Sequence, residues 1–600
     1  MNSYSAMHSK LKTLFSISAL SAAVMLTGCT SAPEADVAVN SEISALPEVQ
    51  PSMTMIGRYA EGQKLKKSMA EIVTYHKASQ SILVINAHES TVDVLDAGTL
   101  NSQALANPLS DSNLKRRMQL DVAKDIANDS AVSLKVGGIN SVAVSGDLAA
   151  VAVENDDKQM DGVIAFYQLN EKGAASYIKS LPAGALPDNV QISEDGRYVV
   201  AANEGEPSKD YRRDPEGSIT LITVEQGMPT TAVQLSFTDF NDGGARANEL
   251  NRDMQKAGVR VSHPEASVAQ DLEPEYVAFS ADSKKAYVSM QENNAIAVVD
   301  LATAKIERIF GLGYEDHGAE NNGLDASNKD KAINIQPYAN VRGLYMPDTI
   351  ASYQVNGVNY LVTANEGDSR EYIYDASEAD CKQVGHKFDE EEGCISWIDE
   401  KRVGKIALDQ EVFNDPKLQD KKVLGRLKSV ITEGDFDKDG DFDAIYSYGT
   451  RSFSIFNADT GTLVFDSGDQ FEQLTAQKLG KEGFNAHNSK NKADDRSDDK
   501  GPEPEALALG SINDRTYAFI GLERTGGIMM YDITTPEKTS FVEYTINRDF
   551  SVKIKKELAK AGDLAPEGMK FVPAEESPTN NPLLIVGNEV SGTTSVYEVK

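Results

Sequence analysis

Only seven histidines, three cysteines and one tryptophan are found among 600 residues. Histidines this sparse and this scattered argue against a zinc hydrolase, and no H-E-x-x-H, G-x-S-x-G or P-loop string is present. Basic residues are short as well: 59 Lys and Arg face 92 Asp and Glu, leaving a formal charge of −33. Such a surface repels nucleic acid and anionic headgroups, whose recognition relies on clustered Lys and Arg, so no nucleic-acid partner is expected. It suits divalent cations, or equally a soluble surface in a salty medium. Beyond the amino terminus no stretch approaches the roughly 18 to 20 apolar residues that span a bilayer.

At that terminus Lys10 and Lys12 precede an apolar run from Leu14 to Leu26, which ends in L-T-G-C at Cys29. A basic segment, a short apolar segment and small residues before the cut make a secretory signal over residues 1–28. The ending resembles a bacterial lipobox, which implies cleavage before Cys29 and a lipid on its thiol. Thr30 follows where an Asp would favour inner-membrane retention, so the expectation is an outer-membrane lipoprotein, periplasmic or surface-exposed, whose membrane partner is reached through the lipid. Residues 29–53 read as a flexible Ser/Ala/Pro/Glu tether and 54–600 as one domain. The remaining pair, Cys381 and Cys394, predicts a disulfide, since His386 alone cannot complete a zinc site.

From residue 54 onward the chain repeats itself. The clearest copies are L-E-P-E-Y-V-A-F-S-A-D-S-K-K-A-Y-V-S-M-Q-E-N-N-A-I-A-V-V-D-L from Leu272 and P-E-P-E-A-L-A-L-G-S-I-N-D-R-T-Y-A-F-I-G-L-E-R from Pro502. The same frame of Pro-acid start, strand, turn and strand ending in Glu fits segments at Ala185, Met346 and Ala565, with weaker copies near Glu71 and Asn140 and a degenerate one around D-A-I-Y-S-Y-G-T-R. Short Val-, Ile- and Tyr-rich strands between turn residues indicate antiparallel sheet, and repeats that cannot bury a face alone close into a ring. The fold class is therefore an all-β β-propeller rather than two stacked sandwiches. Counting copies gives eight blades, or seven if one weak copy merges with a neighbour. The last copy is one strand short, and T-M-I-G-R-Y-A near the start supplies the strand that closes the ring. Long loops are inserted at 238–270, 311–343, 369–421 and 469–501, the first carrying a predicted short helix in N-E-L-N-R-D-M-Q-K-A-G.

Several strings carry a resemblance. V-A-Q-D-L-E-P-E-Y, the paired A-N-E-G-E and A-N-E-G-D, R-S-D-D-K-G-P-E-P-E and the closing N-E-V-S-G-T-T-S-V-Y-E resemble the choice-of-anchor I family, over Ile56 to Lys600. The resemblance implies an exported bacterial propeller fastened to the cell by one of several anchors. Some members carry the name alkaline phosphatase.

Two sets of acids are the candidate sites. E-G-D-F-D-K-D-G-D-F-D-A-I-Y places Asp435, Asp437, Asp439, Asp441 and Asp443 at alternate positions, a spacing that matches a calcium loop in which Gly440 makes the turn and Asp441 adds a carbonyl. Tyr446 stands where an EF-hand has its closing Glu, so the loop is of the short kind that braces a blade. The second set recurs with the repeat: Asp188, Glu275, Asp348, Glu505 and Glu567 start first strands, while Glu154, Glu204, Glu292, Glu366, Glu523 and Glu589 end second strands. In a closed ring the two series line the axis, where they raise one another's pKa unless cations compensate. A second divalent or iron ion in that channel is expected beside the Ca²⁺. The leading reading is a cell-envelope binding or scaffold module with an unidentified envelope protein or glycan as ligand. The alternative is a metal-dependent phosphoesterase with Glu505 and Glu567 as metal ligands and Arg524 and Arg451 on a phosphoester.

Overall fold

A computed structural model describes residues 50–390 and 392–600. Seven four-stranded antiparallel sheets dominate it. Their strands are Val73–His76 to Arg116–Asp121 in blade 1, Val136–Ser145 to Ala175–Ala185 in blade 2, Pro187–Ile192 to Met228–Ser236 in blade 3 and Val277–Phe279 to Lys305–Gly311 in blade 4. Blade 5 joins Ile350–Val355 and Val358–Ala364 to Phe453–Asn457 and Thr462–Asp466, and blade 6 runs from Pro504–Ile512 to Ser540–Thr545. Blade 7 takes Pro566–Val572, Leu583–Asn588 and Thr593–Val599 from the end of the chain and Met53–Tyr59 from its beginning as the outermost strand. Met53 pairs with Val599 and Tyr59 with Thr594, as T-M-I-G-R-Y-A predicts.

The first strand of each blade packs on the first strand of the next, and that of blade 7 packs on that of blade 1, so the ring is closed. The second and third strands of each blade are buried on both faces, which explains why they read as near-continuous apolar runs, while outermost strands such as Arg116–Asp121 and Met228–Ser236 are largely exposed. Alternation then sorts side chains between two neighbours. On Arg515–Leu522, Ala518, Ile520 and Leu522 join the core shared with blade 5, while Tyr517 and Phe519 join the core shared with blade 7. A separate apolar cluster fills each of the other gaps in the same way.

The larger blade count does not survive. Ile445–Ser447, the heart of the degenerate copy, pairs in parallel with Val341–Leu344 in a small sheet outside the ring. The following S-F-S-I-F-N supplies the third strand of blade 5, pairing Leu361 with Phe456. Residues 365–452 are thus an insertion within one blade, and they mimic a repeat because they resume with strand sequence. The predicted helix in N-E-L-N-R-D-M-Q-K-A-G is also corrected: two 3₁₀ turns, Ala247–Glu249 and Met254–Lys256, flank an extended Leu250, and Asp253 caps the second.

In an antiparallel blade the first strand starts, the second ends, the third starts and the fourth ends at one rim. The long connections (237–276, 312–349, 365–452, 467–503 and 546–565) all link such ends, so they gather over one mouth of the channel. A disulfide joins Cys381 and Cys394 within the 365–452 insertion. Among the described residues no helix is long and apolar enough to cross a membrane. Cys29 and the tether up to residue 49 lie outside the described residues.

Candidate functional site: the acidic mouth of the channel

Four Pro-acid starts share one local device. Leu186, Met346, Glu503 and Ala565 hold positive φ immediately before Pro187, Pro347, Pro504 and Pro566. A non-glycine residue in that region costs about 1–3 kcal/mol and collects at functional sites. In blades 3, 6 and 7 the ladder then slips, between Pro187 and Val190, Pro504 and Leu507, and Pro566 and Met569. The bulge takes Asp188, Glu505 and Glu567 out of the strand pairing, and such bulges re-aim side chains. At the second-strand ends an Asn precedes the acid. Asn203, Asn365 and Asn588 are buried and donate to groups on the third strand, which pins the strand end while the next residue, Glu204, Glu366 or Glu589, reaches the cavity.

These devices converge on a cavity of about 460 Å³. Eleven of its nineteen lining residues are carboxylates and one, Arg524, is a cation. Asp188, Glu204, Glu275, Asp348, Glu366, Glu505, Glu523, Glu567 and Glu589 all line it. Glu154 and Glu292 do not: Glu154 stands 3.4 Å from Lys158, and Gln291 occupies the register position expected of Glu292, which lies one residue on in an adjoining cavity of about 390 Å³. Glu71 and Asp368 line the wall without having been singled out from the sequence. Glu71 was legible in principle, because it starts the weak E-I-V-T-Y copy.

Burial, reinforced by neighbouring carboxylates, pushes Glu204, Glu275, Asp348, Glu505 and Glu567 well above the ordinary carboxylate range. Burial likewise pushes Glu71 and Glu523 up to about 8, and Asp188 and Glu292 up to about 7. Within the ring, Asp348, Glu366 and Glu505 each offer an oxygen within 4.8 Å of the others. Two oxygens bound to one Ca²⁺ sit at most about 4.6–5.2 Å apart, so the trio fits a hard cation of that size. Glu505 is 8% exposed and its Oε2 has no hydrogen-bond partner among the described residues. No histidine or cysteine lines the cavity, and an all-oxygen donor set suits Mg²⁺, Ca²⁺ or Mn²⁺.

A second trio, Glu366, Glu503 and Glu523, adjoins the first. Burial raises the Glu503 carboxyl, but Arg496, Arg524 and Lys500 outweigh it and hold Glu503 well below the usual range. Arg496 and Lys500 come from the inserted loop before blade 6, outside the repeated frame, and spacing alone does not single them out, whereas Glu503 has its counterpart in Glu273 of the copy from Leu272.

Arg451 is not in the channel. Its guanidinium is buried, 2.6 Å from Glu472, and donates to the carbonyls of Asp325, Ser497 and Asp499, clamping the inserted loops together. The sequence S-Y-G-T-R imitates the end of a second strand, but its strand belongs to the small inserted sheet. Arg524 does line the cavity, with Nε 3.0 Å from Glu503 and 2.8 Å from Glu523.

The aspartate loop lies in the 365–452 insertion, away from the ring. Asp435, Asp437 and Asp443 gather oxygens within 4.8 Å, whereas Asp439 accepts from the Asp441 amide at 3.1 Å and neither Asp439 nor Asp441 joins that trio. Gly440 makes the turn at φ +102°.

Fold and site together define a β-propeller with a carboxylate-lined axial mouth. The chain belongs to the choice-of-anchor I family, whose domain matches residues 71–536, and it is a propeller of the cell-surface kind. Gigasin-3a of Magallana gigas is 34% identical over 199 residues, covering 31% of this chain and 68% of that protein. The mesenchyme-specific cell surface glycoprotein of Strongylocentrotus purpuratus is 29% identical over 343 residues, covering 54% of this chain and 43% of that protein, so the chain spans less than half of this second relative. Among solved structures, Kuenenia stuttgartiensis hydrazine synthase superposes with a TM-score of 0.41 at 10% identity, over 90% of this chain and 99% of that one.

Proposed function

We propose that this protein is an envelope-anchored binding propeller whose channel mouth holds a hard divalent cation and, on it, an anionic group of an envelope glycan or protein. The observation that carries the reading is the trio Asp348, Glu366 and Glu505, three buried or half-buried carboxylates with an unpartnered oxygen, opening on a cavity with room for a ligand. Hard cations prefer such oxygens and keep free positions for water or an anionic ligand. The L-T-G-C string supports a lipid anchor at Cys29, and Thr30 after it supports retention in the outer membrane. Asp435, Asp437 and Asp443 would hold a structural Ca²⁺ in the insertion.

One observation favours phosphoester hydrolysis as a second reading: Arg524 stands on the cavity wall among the acids. Against it, Glu503 and Glu523 already hold that guanidinium. Calorimetric titration of Mn²⁺ or Ca²⁺ into protein carrying Asp435→Ala and Asp437→Ala tests the first reading. It predicts a remaining binding event that Glu505→Gln removes; no event in the parent rejects the channel site. A screen of p-nitrophenyl phosphates with Ca²⁺, Mn²⁺ and iron separates the second, which requires turnover that Glu505→Gln abolishes.

A further inference from the structure

The two carboxylate trios at the mouth share Glu366, the arrangement of a site built for two cations with a bridging carboxylate. They differ in what neutralises them. In the second trio the protein supplies the cations: Lys500 Nζ lies 2.6 Å from Glu366 and 3.3 Å from Glu503, Arg496 reaches Glu503 at 2.7 Å, and Arg524 reaches Glu503 and Glu523. Lys500 is 7% exposed, so its ammonium is enclosed among these acids rather than free in solvent. In the first trio no Lys or Arg among the described residues forms an ion pair with Asp348 or Glu505, and Glu505 Oε2 is buried without a partner. Lys500 also lies 3.5 Å from Asp368 and Arg496 2.8 Å from Asp499, so the built-in cations are engaged on the side of the second trio, and Asp348 and Glu505 are left without an ion-pair partner. Removing an uncompensated charge from water is costly unless an opposite charge is supplied.

We propose that the channel mouth is a two-cation site in which Lys500 permanently takes one position, so that a single hard divalent ion binds at Asp348, Glu366 and Glu505 with Glu366 bridging ion and ammonium. Lys500 is thereby the residue that fixes how many ions this part of the channel takes. The proposal rests on the cation-binding reading above and deepens it.

The test is native mass spectrometry with Mn²⁺, on protein in which Asp435→Ala and Asp437→Ala have removed the loop trio. Lys500→Met is expected to take up one Mn²⁺ more than this parent, and Lys500→Arg to keep the parent's number. A Lys500→Met protein that binds the same number overturns the proposal while leaving the first site intact, and a folded one that binds fewer also overturns it. A parent that binds none overturns the underlying reading and this proposal with it. Should Lys500→Met fail to fold, Glu503→Gln gives an independent answer with the opposite sign. With Glu503 neutral, the Lys500 charge is shared between Glu366 and Asp368 only, and Mn²⁺ affinity is expected to fall at least tenfold; unchanged or tighter binding overturns the proposal.

Discussion

Glu366 Oε1 lies 2.6 Å from the Nζ of Lys500, 134 residues away in sequence, while its Oε2 accepts from Gln291 at 3.0 Å. The contact joins the second strand of blade 5 to the loop that enters blade 6. It also sets the charge balance of the mouth, because Glu366 faces the acidic ring on one side and the basic cluster on the other.

The acids that burial raises make stability depend on pH in a direction that can be worked out. Glu71, Asp188, Glu292 and Glu523 have folded-state pKa values of about 7 to 8, above their unfolded values, so the folded state binds more protons. Their contribution is complete below the unfolded pKa and is lost as pH rises through the folded one. Metal-stripped protein should therefore lose melting temperature between pH 5 and pH 8, and added Mn²⁺ or Ca²⁺ should flatten the slope. A melting temperature in chelator that is constant or rises over this interval contradicts the expectation.

Arg451 is predicted to matter for stability and not for the channel. Removing one partner of a buried ion pair costs about 3–5 kcal/mol because the other charge is left uncompensated. Arg451→Met should lower stability by that order in denaturant melts, with Glu472 stranded, while cation uptake at the mouth stays at the parent level. Loss of uptake in a folded variant would return Arg451 to the site.

Calcium in the aspartate loop should stabilise the fold by RT ln(1 + [L]/Kd), about 2.7 kcal/mol at one hundred times Kd. Chelation should lower the melting temperature, and Asp435→Ala with Asp437→Ala should reduce that sensitivity to what the channel ion contributes. If the double variant responds to chelator as fully as the parent, the loop holds no ion.

Anchoring is tested by fractionation. A Cys29→Ser protein should leave the membrane fraction for the soluble envelope or the medium, whereas continued sedimentation with membranes contradicts lipidation at this residue.

The ring was legible in the sequence because each blade repeats one frame, and period-two alternation between two buried faces leaves a run that spacing can align. The convergence of Asp188, Glu505 and Glu567 followed from their shared Pro-acid starts, even though the positive φ and the bulge that aim them are not visible in letters. Glu292 was misplaced by one residue because Q-E offers two polar positions at the strand end and only the backbone decides between them. Blade 5 was miscounted because an insertion separates its second and third strands. Lys500 and Arg496 escaped for a different reason: they belong to a single loop, and a feature that occurs once has no period to reveal it, whereas Glu503 stood in the repeated frame two residues before Glu505, as Glu273 does before Glu275.

The most direct measurement is anomalous scattering from crystals grown or soaked in Mn²⁺. A peak within the ring of first strands, among the carboxylates of Asp348, Glu366 and Glu505, that disappears in Glu505→Gln is the predicted result. Peaks confined to the Asp435–Asp443 loop, with none in the channel of a protein whose loop is loaded, would contradict the account.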